Sequence, residues 1–314
     1  MSSPVPAGSA AQLLAEVSRG ELIESRHRGH LVALDPAGAV AFSVGDPDAL
    51  IYPRSSLKPV QAVAMLRHGA KLTGERLALA AASHSGEPAH VALVRAVLAD
   101  AGLTEQALAC PPALPLSGDR SQPPSRVLMN CSGKHAGMLT ACVAAGDPVD
   151  GYTDPAHPLQ LRVAETLADL AGHPAGPVTV DGCGAPLFAL PLVGLARCFQ
   201  RLVRAVDGPE HATAHAMRAH PWLVGGTGRD VTVLMRQLPG LLAKDGAEGV
   251  YAAALPDGSA VAFKIEDGGE RARPPVLCRA LALLGADVSA VEPRLLAPAV
   301  LGAGVPVGAI RAAF

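Results

Sequence analysis

Short β-prone runs stand near opposite ends of the chain. Residues 30–35 and 39–44 flank Pro36-Ala37-Gly38, and residues 249–255 and 259–265 flank Pro256-Asp257-Gly258. Pro and Gly at those places favour a tight reversal, so each pair of runs predicts a β-hairpin. Between the hairpins, apolar residues recur at helical spacing over 59–68, 88–101, 135–145, 158–171, 186–206 and 209–219. Several of these stretches open with Pro, whose missing N–H costs nothing in the first turn of a helix. Strands at both ends with helices between them predict an α+β fold, one antiparallel sheet assembled from both termini with an inserted helical lobe. A doubly wound parallel α/β sheet would need strands alternating with helices throughout. A single domain over 1–314 is expected, its sheet portion roughly 20–55 and 240–314 and its helical portion roughly 56–239.

Composition narrows the function classes. With 49% hydrophobic and 17% charged residues, the chain is not a disordered, solvating protein. Aromatics are 3%, with Trp222 the single tryptophan, so the core has to be packed from Ala, Val and Leu. A net charge of -2 without a basic stripe or acidic tail points to a small-molecule partner, with no nucleic acid and no membrane surface. No apolar stretch is long enough to span a bilayer. The first twelve residues lack a basic segment followed by an apolar one. The six cysteines are too few for a dense disulfide framework, so a reducing cytoplasm is expected. Cys142 and Cys198 fall in helical apolar patterns and read as inert core residues.

Six polar constellations carry candidate chemistry. In Pro53-Arg54-Ser55-Ser56-Leu57-Lys58-Pro59, Ser55 and Lys58 lie three apart at a helix start and share a face. A buried, neutral lysine beside a serine hydroxyl is a workable general base. The S-x-x-K arrangement is also that of serine β-lactamases and penicillin-binding proteins. The bland alternative is a capping serine followed by a solvated lysine. Ser83-His84-Ser85-Gly86-Glu87 follows an apolar run and suits either a site loop or a cap for the helix beginning at Pro88. Asn130-Cys131-Ser132-Gly133-Lys134-His135 concentrates a thiol, a hydroxyl, a cation and an imidazole just before a helix, but lacks the spaced glycine of a phosphate loop. Asp181-Gly182-Cys183, Gly225-Gly226-Thr227-Gly228-Arg229 and Lys244-Asp245-Gly246-Ala247 complete the set. Lys244, just ahead of the second hairpin, stands where the K-T-G lysine of β-lactamases precedes a strand. The segment 110–126, rich in Pro and Ser, is a candidate active-site flap.

Taken in order, these six blocks resemble the rhizobial-type L-asparaginases, also called asparaginase II or class 3, over nearly the whole chain. The resemblance implies a fold similar to serine β-lactamases and glutaminases, a homodimer, and hydrolysis of L-asparagine to L-aspartate and ammonia. It implies two Ser–Lys tandems, Ser55 with Lys58 and Ser83 with Lys244, and a zinc ion held by Cys131, Lys134 and Cys183. Asp181 would orient the metal-site lysine, and His135, Asp181, Arg54 and Arg229 are expected around the substrate. Lysine is not among the usual zinc ligands, and Lys134 could coordinate only as the neutral amine.

Within that resemblance Ser55 is the expected nucleophile, Lys58 its base, and Ser83 a relay of the proton to the leaving amine; the reverse assignment is chemically similar. Two further classes stay open. One is a β-lactamase-like amidase or peptidase, set against the incomplete K-T-G element. The other is a non-catalytic amino-acid-binding protein.

Overall fold

The computed structural model describes residues 10–314. In chain order the strands are β1 (Gln12–Arg19), β2 (Leu22–Leu34), β3 (Val40–Val44), β4 (Leu50–Ile51), β5 (Val178–Val180), β6 (Pro186–Phe188), β7 (Leu190–Pro191), β8 (Leu242–Asp245), β9 (Val250–Ala254), β10 (Ala260–Ile265), β11 (Ala299–Gly302) and β12 (Val305–Ala312). The helices are α1 (Lys58–Arg67), α2 (Gly74–Ala80), α3 (Pro88–Asp100), α4 (Ser132–Ala145), α5 (Pro158–Ala171), α6 (Leu192–Arg204), α7 (Gly208–Ala219), α8 (Pro221–Val224), α9 (Asp230–Gln237), α10 (Arg273–Leu283) and α11 (Pro293–Leu296).

The fold is α+β. One antiparallel sheet runs in the order β11-β12-β1-β2-β10-β9-β8, with β3 also paired to β2, so strands from the two ends of the chain meet at β2–β10 and β1–β12. The 13-residue β2 serves two partners in succession. Its first part pairs with β1, and Leu31–Leu34 pairs with β3 while β10 runs along its other edge. Every residue of β9 is buried, and all of β10 but Lys264. A strand buried on both faces needs a covering layer on each side. Here α6 packs against β2, β9 and β10, and α10 against β9, β10 and β12.

The helical portion gathers around α1, whose residues from Lys58 to Met65 are all buried. A helix apolar nearly all round belongs in an interior, and α4, α5 and α7 enclose it. Small residues permit the close approach. A Cβ on Gly137 would lie 2.9 Å from Ala80 Cβ and from Met65 Sδ, and one on Gly133 would lie 2.6 Å from the Leu79 carbonyl oxygen.

Both expected hairpins are present, with Gly38 and Gly258 at positive φ in their turns. Several elements differ from the pattern-based expectation or add to it. The stretch 186–206 is helical only from Leu192, because Pro186–Phe188 and Leu190–Pro191 pair as strands with β5 and β4. The sheet begins at Gln12, ahead of residue 20, because β1 finds partners in both β2 and β12. Helices α2 and α9 join the helical layer within the predicted helical portion. Among the described residues, no helix is long and apolar enough to cross a membrane.

Gly29 sits where β1, β2 and β10 cross. An added Cβ would overlap the Lys264 carbonyl oxygen and stand 2.8 Å from Leu14 Cδ1. Gly29→Ala is expected to destabilise the chain by about 1–3 kcal/mol, since overpacking forces backbone apart. A lowered urea midpoint measures this; an unchanged midpoint contradicts it.

Candidate active site

Residues Arg54–Leu57 form a 3-10 turn directly ahead of α1. Arg54 lies at φ 53, an unusual conformation for a side chain of this size. Its guanidinium donates from Nε to Asp181 Oδ1 at 2.8 Å, and Nη1 lies 3.9 Å from Glu248. Ser56 closes the turn, donating from N and Oγ to the Pro53 carbonyl at 3.2 and 2.6 Å. Ser55 is partly exposed in this turn. It does not cap α1, whose N-cap is Leu57. Lys58 is not solvated either. It is 1% exposed, and its Nζ donates to the Ala82 carbonyl at 2.6 Å and to Ser83 Oγ at 2.9 Å.

Ser83 opens the loop between α2 and α3, pinned by Ser83 N to the Val224 carbonyl at 3.0 Å and His84 N to the Asn130 carbonyl at 3.2 Å. His84 holds the loop together from inside. Gly86 N donates to its Nδ1 at 3.1 Å, which leaves Nε2–H to donate to Ser132 Oγ at 3.0 Å; that hydroxyl donates to the Val127 carbonyl at 2.8 Å. Burial, then His90 and Lys58, push the imidazole well below its usual range, so His84 is a neutral strut. Ser85 Oγ donates to the Gly225 carbonyl at 2.8 Å, and Gly226, at φ 117, leaves no room for a side chain beside it. Within the 110–126 segment, Ser117 N donates to the Ser85 carbonyl at 2.9 Å, which lays that segment over the same loop.

Lys244 comes from β8 on the sheet side. Its Nζ donates to the Asp245 carbonyl at 2.7 Å and to Asp245 Oδ1, while Arg229 Nη2 reaches Asp245 Oδ2 at 2.7 Å. Burial lowers the Lys244 ammonium to about 8; Asp245 pulls the other way and the charge of Lys58 adds to the lowering. Burial alone would raise the Asp245 carboxyl, but Lys244, Arg229 and Arg273 hold it below the usual carboxylate range. The strand end touches the Ser55 turn, since a Cβ on Gly246 would stand 2.9 Å from Pro53 O and 3.3 Å from Ser56 N. Ser55, Lys58, Ser83 and Lys244 thus come from a 3-10 turn, a helix start, a loop and a strand to one seam between sheet and helices. The hydrogen bond across it links Lys58 to Ser83, and Lys244 bonds to Asp245.

The thiols lie at the N-terminus of α4 and in the tight turn between β5 and β6. Lys134 is fully buried, and its Nζ donates to Cys183 Sγ at 3.0 Å. Cys131 keeps its proton, its hydrogen bond to Cys183 and its burial both raising it. Cys183 is pushed down by that hydrogen bond, with Lys134 adding to the effect. Burial works against the Lys134 ammonium, but the two sulfurs outweigh it and raise its pKa. Asp181, already paired with Arg54, stands 3.9 Å from Cys183 Sγ. His135 shares a hydrogen bond with Tyr152 Oη at 2.6 Å through Nδ1, and its buried Nε2 has no hydrogen-bond partner.

Two soft sulfur donors, an amine and an orphaned imidazole nitrogen are donors that suit zinc chemically. Among the described residues, however, no three of His, Cys, Asp and Glu form a group suited to a metal ion, so a metal here depends on Lys134 as a ligand. All six cysteines are free and buried, Cys142 and Cys198 within helices as their apolar settings predict.

Several residues around the site were not singled out by sequence. Asp245 appeared there only as a member of the Lys244 block, without a role of its own, yet it carries the side-chain and carbonyl contacts to Lys244. Tyr152 and Arg273 lie far from any motif; Arg273 Nη1 donates to the Gly246 carbonyl at 2.7 Å, behind the lysine strand. No local pattern marks them, because their partners are distant in sequence.

Residues 15–312 match the family model described as L-asparaginase II. The chain is therefore an amidohydrolase, an enzyme acting on an amide. It belongs to the L-asparaginase II family. No curated protein matches it. Among solved structures the chain is similar to a β-lactamase from Mycobacterium bovis, at 16% identity and TM-score 0.47 over 82% of this chain and 94% of that one. It is also similar to Mglu in its native form, at 14% identity and TM-score 0.44 over 88% of this chain and 67% of that one.

Lys244 links this geometry to stability. Its folded pKa of about 8 lies below the usual 10.5, so between those values the unfolded chain binds more protons and stability rises with pH. The penalty for burying the charge is fully present below about 8 and is relieved as pH approaches 10.5. Relative to Lys244→Met, which lacks this group, the wild type should gain stability between pH 8 and 10. Urea unfolding of both chains at the two pH values measures it; a constant difference counts against it.

Proposed function

We propose that this chain hydrolyses the side-chain amide of L-asparagine to L-aspartate and ammonia at Ser55, Lys58, Ser83 and Lys244. The observation that supports this best is the buried hydrogen bond from Lys58 to Ser83, beside a serine, Ser55, that a substrate can reach. Ser83 is 3% exposed, so Ser55 is the better placed nucleophile. Its Oγ attacks the amide carbon as Lys58, acting in its neutral amine form, takes the hydroxyl proton. The C–N bond then breaks, and Ser83, held by Lys58, hands a proton to the departing ammonia. Lys244, with its ammonium lowered to about 8, is partly neutral near neutral pH and serves as base for the water that resolves the acyl-enzyme. Arg54, Asp181, His135 and Arg229 bind or position the substrate, Arg54 and Asp181 as a paired cation and anion next to the Ser55 turn.

Ser55→Ala and Ser83→Ala are expected to lower kcat for ammonia release by different amounts. The nucleophile loses a factor on the order of 10³ or more, and the relay about 10²–10⁴-fold. Full activity in both variants would exclude the Ser–Lys mechanism.

The proposal includes one zinc ion held by Cys131, Cys183 and Lys134, supplying when bound a fixed positive charge that orients a polar group of the substrate. Elemental analysis of the purified chain is expected to find about one zinc per chain, and Cys131→Ser or Cys183→Ser should bring it near zero. Equal zinc in both variants rules the ligands out. The proposal also includes a homodimer. Leu50, Tyr52 and Val180 are 56%, 40% and 67% exposed on one cleft wall beside Arg54, an apolar face suited to burial against a second copy.

A further inference from the structure

A cleft of about 850 Å³ lies against α3, and none of the serines or lysines of the proposed centre lines it. Its floor is a stripe of α3, where Ala89, Ala92 and Ala96 present only methyl groups and Leu93 completes the face. Short side chains there leave volume that larger ones would have filled. Opposite the floor stand Trp222 of α8 and two cations, Arg218 of α7 and Arg236 of α9. His220 and Glu75 are the other titratable groups on the walls. Most arginines of this chain reach a carboxylate or a carbonyl. Arg218 and Arg236 have neither an ion pair nor a hydrogen bond among the described residues. Burial acts on Arg218 with no anion to offset it and pushes its pKa down. Two uncompensated guanidiniums over an apolar floor are complementary to a carboxylate on an apolar body.

Trp222 ties the cleft to the proposed catalytic centre. Its ring stacks on His90 with centroids 4.1 Å apart, and His90 stacks on His84 at 5.2 Å. His84 adjoins Ser83 in sequence and braces the serine loop. A second contact runs the same way, from Trp222 Nε1 to Thr227 Oγ1 at 3.0 Å and from that hydroxyl to Glu87 at 2.8 Å.

We propose that this cleft is a second ligand site, taking a small carboxylate with an apolar, ring-sized body. The carboxylate sits on Arg218 and Arg236, and the body lies between the alanine floor and Trp222. An occupant presses on the first of three stacked rings whose last one braces the Ser83 loop, and so acts as an effector of hydrolysis; that second part rests on the function proposed above. The ligand's source is a simple monocarboxylate or a free apolar amino acid, whose ammonium would meet Glu75.

Trp222 is the only tryptophan of the chain, so its fluorescence reports the cleft directly. Titration of the full chain with 3-phenylpropanoate is expected to give a saturable change with half-saturation near or below about 1 mM. The double variant Arg218→Gln/Arg236→Gln should raise that concentration at least tenfold with an unchanged circular dichroism spectrum, and 3-phenylpropanol should give no saturable change. No saturation in the wild type, an unaltered double variant, or an alcohol as effective as the acid overturns the site. L-phenylalanine binding more tightly than 3-phenylpropanoate assigns the site to amino acids; weaker binding assigns it to simple carboxylates. At saturating ligand, KM or kcat for asparagine should change at least twofold in the wild type and stay constant in the double variant. Binding without any kinetic change overturns the effector role. If the chain releases no ammonia from asparagine, the fluorescence titration still decides the site.

Discussion

Three lysines lie among the largest fully buried side chains, and the need to compensate each of them organises the seam between sheet and helices. An unpaired ammonium in a protein interior costs several kcal/mol even after relaxation. Each lysine meets that cost differently. Lys58 has only neutral oxygens, a carbonyl and the Ser83 hydroxyl. Lys134 has the sulfur of Cys183. Lys244 has Asp245, which is itself shared with Arg229. The balance between partner and burial differs from one to the next. At Lys134 the sulfurs outweigh burial and the proton is held harder; at Lys244 burial, helped by Lys58, outweighs Asp245 and the proton is held less.

These requirements bind together elements far apart in the chain. Lys58 starts α1, yet its bonds go to the loop after α2. Lys134 starts α4, and its partner sits in the β5–β6 turn. The Asp245 carboxylate on β8 draws in Arg229 at the head of α9, and Arg273 at the start of α10 anchors the next residue, Gly246. Arg273 also lies 3.9 Å from Asp230. The close approach at Gly246 then sets β8 against the Ser55 turn. Charge compensation and backbone fit act at one place, so the sheet cannot shift relative to the helical layer without exposing or orphaning a buried ion. Much of the remaining core is alanine, valine and leucine, which confers packing but little direction. The buried ions supply the direction.

Elements governed by local rules were legible from the residues. The turns at Pro36-Ala37-Gly38 and Pro256-Asp257-Gly258 reverse the chain because of their own residues, and the long helices carry their period and often an opening proline. The strands β1, β11 and β12 carry no such signature; they exist as strands because β2 and one another complete their hydrogen bonds. The same cause separates Pro186–Pro191 from α6. An apolar run of that length suits a helix or a buried strand, and pairing with β4 and β5 decided for strand.

The chain by itself determined the fold class, the six polar blocks and, through their order, the family of amidohydrolases to which it belongs. It also set Ser55 and Lys58 three residues apart, a spacing that one turn of backbone puts on one face. Only the tertiary structure decided where each lysine points. Lys58 spans from α1 to Ser83, Lys244 turns to its own neighbour Asp245, and Lys134 lies against Cys183. Spacing along a chain constrains groups one helical turn apart and says nothing about groups on different elements. Those meet where burial leaves a charge one partner, and that partner is chosen by packing.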